Sequence, residues 1–306
     1  MFPMVLPTLP KHSTKTNNVI DKPKLLISFS GGRTSAYMTW WLLNEWQDRG
    51  NYEMIVVFAN TGKEVAGTLF FVDECSQEWN VPIIWVEAKC KDDNGVPFSE
   101  KGWQVKHKIV SYETASRNGE PFEEMISVLG IPSSNVPFCS YQLKRLAIES
   151  YCRSIGWFDY KKAIGIRIDE PKRLKKYKGD ESVLLPFATL NPKYKIEIII
   201  WWAKQDFNLD IHPDDGNCDN CWKKGDDVLV RNMIRKPKGF YWWQNMQDKY
   251  GNFIPRETIL KPPFNFFRGN KTVLDIKNLA EISMAELKQL SMFEEESECG
   301  ESCEVF

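Results

Sequence analysis

The chain has 306 residues, of which 42% are hydrophobic, 13% aromatic and 26% charged, and its formal net charge is -1. These numbers suit a soluble globular protein with a sizeable core, in one large domain or two ordinary ones. They exclude a general attraction to nucleic acid, so any basic surface must be a local patch, and no apolar run is long enough to span a membrane.

Residues 1–24 read as a polar lead-in. The opening MFPMVLPTLP is apolar but has no basic n-region and is broken by Pro3, Pro7 and Pro10, so it is not read as a signal peptide and a cytoplasmic location is expected. LLISF is a short buried strand, and SAYMTWWLLNEWQDRG is a helix closed by Gly50. MIVVFAN is a second strand, VAGTLFFVDECSQEWN a second helix and VPIIWVEA a third strand. Such a βαβαβ series predicts an α/β fold, a twisted parallel sheet flanked by helices. KCKDDNGVPFSEKG reads as a polar loop. Helices are expected over 122–130 and 141–155, with Gly130, Pro132 and Pro137 between them. KKAIGIRI is expected as another strand, EPKRLKKYKGDES as a charged loop and EIIIWWAKQDF as a helix. Four regions follow: the lead-in at 1–24, a main domain at 25–230, an aromatic-basic and helical extension at 231–290, and an acidic, mobile, cysteine-bearing tail at 291–306.

Ser30-Gly31-Gly32-Arg33-Thr34-Ser35 joins the first strand to the first helix. The carboxyl edge of a parallel sheet is where such folds bind ligands. Glycines let backbone approach an anion, a helix N-terminus offers free N–H groups, Ser30, Thr34 and Ser35 add hydroxyls, and Arg33 adds a permanent cation. Phosphate fits this chemistry best. A plain tight turn with Ser35 as helix cap is the structural alternative. The stretch has neither the Gly-Lys-Ser/Thr ending of the longer P-loop nor the dinucleotide GxGxxG pattern.

The eight cysteines are Cys75, Cys90, Cys139, Cys152, Cys218, Cys221, Cys299 and Cys303. Without a secretory signal they point to core thiols or metal ligands rather than a disulfide framework. Cys75, Cys90 and Cys152 sit among apolar neighbours and read as core. Cys218-Asp-Asn-Cys221 is a CxxC that suits half a zinc site, a redox pair or half an iron–sulfur site. His107 and His212 are further candidate donors, although lone histidines are more often ordinary surface or core residues.

SFSGGRTS resembles the PP-loop of the adenine nucleotide alpha-hydrolase fold and, more narrowly, the phosphoadenosine phosphosulfate reductase family. VFANTGKEVAGTLFFV, PFCSYQLKR, GIRIDEPKR and GNCDNCWKK continue the likeness in order, so it covers about residues 25–230. It implies that Ser30 to Ser35 cradle phosphate or sulfate of an adenine nucleotide, either ATP or a phosphosulfate nucleotide. Asn60, Thr61 and Gly62 would lie beside the adenosine, with Lys144 and Arg167 as anion contacts and Asp169 and Glu170 orienting Arg167 or meeting magnesium. Two departures bear on that ion: Thr34 and Asn60 stand where the pattern has aspartate, which removes carboxylates that would hold magnesium. The family's iron–sulfur members hold a 4Fe–4S cluster with a Cys-Cys pair and a distant CxxC. Here the pair is Cys139-Ser140, leaving Cys139, Cys218 and Cys221 as ligands of a cluster with an open or non-cysteine fourth position. Cys299 or Cys303 completing that cluster, or zinc in its place, are the alternatives. Glu298-Cys299-Gly300 matches the family's catalytic E-C-G, implying a nucleophilic Cys299 resolved by Cys303 and a thioredoxin-like reductant.

The resemblance thus implies sulfonucleotide reduction or a related sulfur transfer. ATP-dependent adenylating sulfur transfer to tRNA or DNA is one alternative, and a non-catalytic nucleotide-binding module another. A nucleic-acid partner, not favoured, would use the aromatic-basic stretch at 231–253, where Arg231, Arg235, Lys236 and Lys238 neighbour Phe240, Tyr241, Trp242 and Trp243. No membrane partner is expected, and the oligomeric state is left open.

Overall fold

The computed structural model describes residues 22–98, 105–134, 137–255 and 261–298. β1 (Lys24–Phe29), β2 (Glu53–Asn60) and β3 (Ile83–Lys89) form where β-branched and aromatic residues run together, and they pair in parallel. α1 (Arg33–Asn44) and α2 (Ala66–Glu78) make the crossovers. β4 (Lys106–Val110) adds an antiparallel edge against β3. α3 (Glu120–Leu129) is followed by a π-helical stretch, Ser140–Leu146, which runs into α4 (Ala147–Ser154). β5 (Lys161–Ala163) pairs with β1, and beyond α5 (Pro171–Lys176) the two-residue β6 (Val183–Leu184) pairs with β5. The sheet order is β4-β3-β2-β1-β5-β6, parallel except at the β4 edge. The expected α/β architecture is therefore present.

α6 (Pro186–Thr189) and α7 (Lys195–Trp202) precede the CxxC, and α8 (Asp226–Arg235), α9 (Tyr241–Tyr250) and α10 (Val273–Glu298) follow it. Alternation along the strands divides the core between the two faces of the sheet. Leu25, Ile27 and Phe29 face Met38, Trp41, Phe71 and Trp202 of α1, α2 and α7. Leu26, Val57 and Val86 face Phe122, Leu143, Trp243 and Phe266, so the 231–290 extension packs into the same core as the sheet. Among the described residues no helix is long and apolar enough to cross a membrane.

Several expectations need correction. KKAIGIRI is paired only through Ala163. The chain then leaves the sheet at Gly165, where a Cβ would stand 3.2 Å from the Ser35 Cα, so the missing side chain lets the α1 N-terminus cross the tip of β5. The charged loop after it contains α5, started by Pro171 at its first turn. α10 continues to Glu298, into the segment expected to be a mobile tail. Cys299 and Cys303 lie outside the described residues.

Candidate functional site

The turn after β1 is held in shape by its own side chains. Gly31 has φ +81, and a Cβ there would meet the Thr68 Cγ2 at 2.6 Å, so both conformation and space require glycine. The Ser35 hydroxyl donates to the Gly32 carbonyl at 2.9 Å and accepts the Ser30 amide at 3.1 Å. Ser35 thereby fixes the loop rather than offering a free donor. α1 begins at Gly32 without a side-chain cap and with no acidic residue in its first turn, so its leading amides are open to an anion.

Those amides border a cavity of about 320 Å³. Arg33, Arg167, Arg173 and Lys195 line it, and no carboxylate does. Arg33 is anchored by the Asn208 side chain at 2.7 Å and the Leu209 carbonyl. Burial pulls its guanidinium below the ordinary value, partly offset by Asp210. Arg167 donates to the Thr34 hydroxyl at 3.2 Å and to Asp169 at 2.8 Å, which ties the GIRIDE segment to the turn. Asp169 and Glu170 are committed to orienting Arg167, the first of the two roles expected of them. Arg173 and Lys195 are two cavity cations that the motifs did not single out.

At the end of β2, Asn60 is fully buried and its amide donates to Glu87 at 2.7 Å and to the Ser116 carbonyl at 2.8 Å. Asparagine is favoured there because Glu87, itself 2% exposed, already supplies the carboxylate. Its Oδ1 accepts the Gly62 amide at 3.1 Å, stabilising the φ of +78 at Gly62. Thr61 points both its amide (2.7 Å) and its hydroxyl (2.8 Å) at Glu64. Glu64, with a wholly buried side chain, also binds Lys144 at 3.0 Å.

Glu64 marks the junction with the CxxC. Residues 63–65 pair with 217–219 through a Glu64–Cys218 bridge, the Val65 amide donating to the Asn217 carbonyl at 2.9 Å and the Asp219 amide to the Lys63 carbonyl at 2.7 Å. The Asn217 side chain in turn donates to the Ser30 carbonyl. Three sequence-distant motifs are thus laced together, through Glu64 of the Asn60–Glu64 element and Asn217 beside the CxxC.

The lacing brings Cys139, Cys218 and Cys221 to the wall of one pocket of about 110 Å³, with Thr61, Ser140 and Lys144. Burial pushes the Cys139 thiol up, opposed by Lys223 and by the nearby Trp222 indole. A hydrogen bond between the CxxC sulfurs pushes Cys218 up and Cys221 down. Burial pulls Lys144 downward, but Glu64 and the two thiols Cys218 and Cys139 outweigh it, and the ammonium stays above its ordinary value. The Trp243 indole N–H is buried without a hydrogen-bond acceptor, the Trp222 indole N–H is directed at the Cys139 thiol, and both residues line this pocket. Among the described residues no three His, Cys, Asp or Glu side chains are grouped to hold a single metal ion. Beside it, a cavity of about 300 Å³ lies between β1, β5 and the π-helical stretch, lined by Ser28, Lys162, Ile164 and Tyr177. This cavity shares Ser140 and Lys144 with the thiol pocket.

Other candidates are placed elsewhere. His107 pairs with the Ser150 hydroxyl at 3.0 Å, and the ring of His212 accepts the Asp214 amide at 3.2 Å. The aromatic-basic stretch is largely structural. Arg231 pairs with Asp214, Arg235 with Asp215, and Lys236 with Asp215 and Asp219, while Phe240 and Trp243 are buried in the core. Three of its cations are paired and two of its rings are covered, while Lys238 and Tyr241 stay exposed. Cys75, Cys90 and Cys152 are buried, as expected of core thiols.

No family model matches the chain. It is similar to the uncharacterized nin region protein ORF290 of Escherichia phage lambda, 36% identical over 200 residues. That match takes in 65% of this chain and 66% of the phage protein, just short of two thirds of its length. Among solved structures it is similar to the U34-tRNA thiolase NcsA from Methanococcus maripaludis with its 4Fe–4S cluster, at 13% identity and a TM-score of 0.31, covering 77% of this chain and 75% of that one. A likeness of that degree carries no argument about the present chain.

Proposed function

We propose that the chain is an adenine-nucleotide-dependent sulfur transferase. One observation carries the reading: at the carboxyl edge of β1 and β5, a cation-lined anion cavity stands next to a nucleoside-sized cavity, which shares Ser140 and Lys144 with a pocket of three thiols. The α1 amides, Arg33 and Arg167 would hold the phosphates, and magnesium would arrive with the nucleotide, since no carboxylate lines that cavity.

The thiol pocket fits an iron–sulfur cluster better than a lone ion. Three thiols border a volume, and the orphaned Trp243 indole N–H there needs an acceptor that cluster sulfides provide. Cys139, Cys218 and Cys221 would hold such a cluster, which supplies an iron lacking a protein thiolate. Ser140, at the position of the missing fourth cysteine, already accepts Lys223 at 2.9 Å. In the reaction, an acceptor oxygen attacks the α-phosphorus of ATP, the α–β bond breaks and pyrophosphate leaves. Sulfide from a reduced sulfur donor then replaces that oxygen, which departs with AMP, with no net electron transfer. Lys144, between the cavities, stabilises negative charge on either side.

Anaerobically purified protein should bind iron and sulfide and release pyrophosphate from ATP when acceptor and sulfide are present. The second reading is sulfonucleotide reduction, which the cation-rich cavity suits equally because a sulfate ester resembles a phosphate. Sulfite release from a sulfonucleotide with thioredoxin, without pyrophosphate from ATP, would establish that reading. A colourless protein with stoichiometric zinc would defeat the cluster.

A further inference from the structure

Lys172, Arg173, Lys175, Lys176 and Lys178 place five cations within seven residues, on and just after α5. All five are exposed. Arg173 pairs with Glu170, but among the described residues the four lysines have no carboxylate partner. This contrasts with Arg231, Arg235 and Lys236, each of which is neutralised. In a chain of net charge -1, such an unpaired run is a local field rather than a general property.

Its position makes it more than a solvated face. Arg173 lines the anion cavity, and Tyr177 lines the cavity beside β1, so this one segment borders both. Tyr177 is half-buried with the Lys176 ammonium 5.6 Å from its ring centroid, a pairing of cation and stacking face.

We propose that the Lys172–Lys178 run docks the backbone of a single-stranded nucleic acid and thereby presents one of its nucleotides to the cavity beside β1. The proposal rests on the reading of that cavity as the reaction site and names its acceptor class. Lys172 to Lys176 span about 6 Å of helix at about 1.5 Å per residue, and Lys178 extends the run just past it, so these side chains can follow phosphates recurring along a single strand. Leu174, the only aliphatic residue in the run, is partly covered, which favours a polyanion over a lipid surface.

The test uses the full-length chain and a labelled, roughly 20-nucleotide single-stranded RNA, with the matching DNA as a second arm, by fluorescence anisotropy from about 50 to about 200 mM salt. Binding should weaken steeply with salt. The variant Lys172→Gln/Lys175→Gln/Lys176→Gln/Lys178→Gln should bind at least about tenfold more weakly and lose about 3 from the salt slope, at about 0.7 per phosphate contact. Its ATP affinity and melting temperature should stay at wild-type values. The single variant Lys175→Glu should move binding in the same direction if the fourfold variant folds poorly. A preference for RNA over DNA would identify a 2′-hydroxyl contact.

The proposal is overturned if neither oligonucleotide binds, if the lysine variants bind like wild type, or if the run serves vesicles of phosphatidylserine and phosphatidylcholine instead. α7, which exposes Ile196, Ile199 and Ile200, makes that last control necessary. Oligonucleotide binding without any ATP binding would leave the docking run standing and sink the nucleotide site. The converse would do the reverse.

Discussion

Asn60→Asp restores the carboxylate that the resembled family carries at the tip of β2, and the structure predicts that it will destabilise the protein increasingly as pH rises. The native amide donates to Glu87 at 2.7 Å and to the Ser116 carbonyl at 2.8 Å, with both side chains essentially buried. Two ionised carboxylates cannot share that space, so the new aspartyl group must keep its proton and donate it to Glu87. One donor cannot serve two acceptors, and losing the bond to Ser116 costs about 1 kcal/mol. Holding a proton on a group with an unfolded pKa of about 3.9 costs about 1.4 kcal/mol per pH unit above that value, or up to about 4 kcal/mol at pH 7. The sign follows from linkage. The folded pKa is raised, so the folded variant binds a proton that the unfolded chain releases, and stability declines as pH rises from about 4 towards the folded pKa. Urea unfolding followed by tryptophan fluorescence should show the gap to wild type widening by about 2 to 3 kcal/mol between roughly pH 5 and pH 7. A gap that stays constant across that range, or a variant as stable as wild type, would refute the reasoning.

Gly31→Ala should cost about 3 kcal/mol through its positive φ and the clash with Thr68, whereas Gly32→Ala, with ordinary φ and its nearest neighbour at 3.5 Å, should melt like wild type yet bind nucleotide more weakly in a titration. Trp222→Phe removes an indole N–H that lowers the Cys139 thiol, so Cys139 in the metal-free protein should react more slowly with iodoacetamide at a given pH while the iron-loaded protein loses iron to a chelator faster. In native metal-free protein, iodoacetamide followed by mass spectrometry should spare Cys75 and Cys90, because burial pushes both thiols up, Cys90 to about 12, and among the six described cysteines should modify Cys221 first, because its bond to Cys218 lowers it.

Much of the scaffold was legible because β1, β2 and β3 are predominantly apolar and α1 and α2 lie between them at crossover distance. β4 escaped because KHKIV is largely charged and half-exposed, and its strand character comes from pairing with β3 rather than from its own sequence. β5 was overextended because KKAIGIRI has the composition of a strand, while packing of Gly165 against α1 ends it early. The candidate site divides the same way. Residue types suited to an anion or a metal could be read directly, as at Ser30–Ser35 and Cys218–Cys221. Glu64 and Asn217 sat inside the quoted motifs, but their joining role was not legible, since a buried carboxylate and a backbone-binding amide gain such roles only when distant segments meet.

Those two joining residues also explain how so many charges are tolerated at one sheet edge. Glu64 is a buried carboxylate satisfied three times over, by Lys144 and by the amide and hydroxyl of Thr61, and its backbone pairs with Cys218. A lone buried charge would cost several kcal/mol, and removing one partner of a buried pair typically costs about 3 to 5. Lys144 is therefore held in place from both sides, by Glu64 and by the thiols whose pocket it lines. An anion entering the cavity beside β1 meets a half-buried cation already positioned by Glu64, so little reorganisation is needed on binding. The anion cavity farther along the same edge works without a carboxylate in its wall, because Asp169 and Glu170 are turned onto Arg167. Negative charge at this edge is spent on aiming cations, which is the arrangement expected where the ligand brings the negative charge itself.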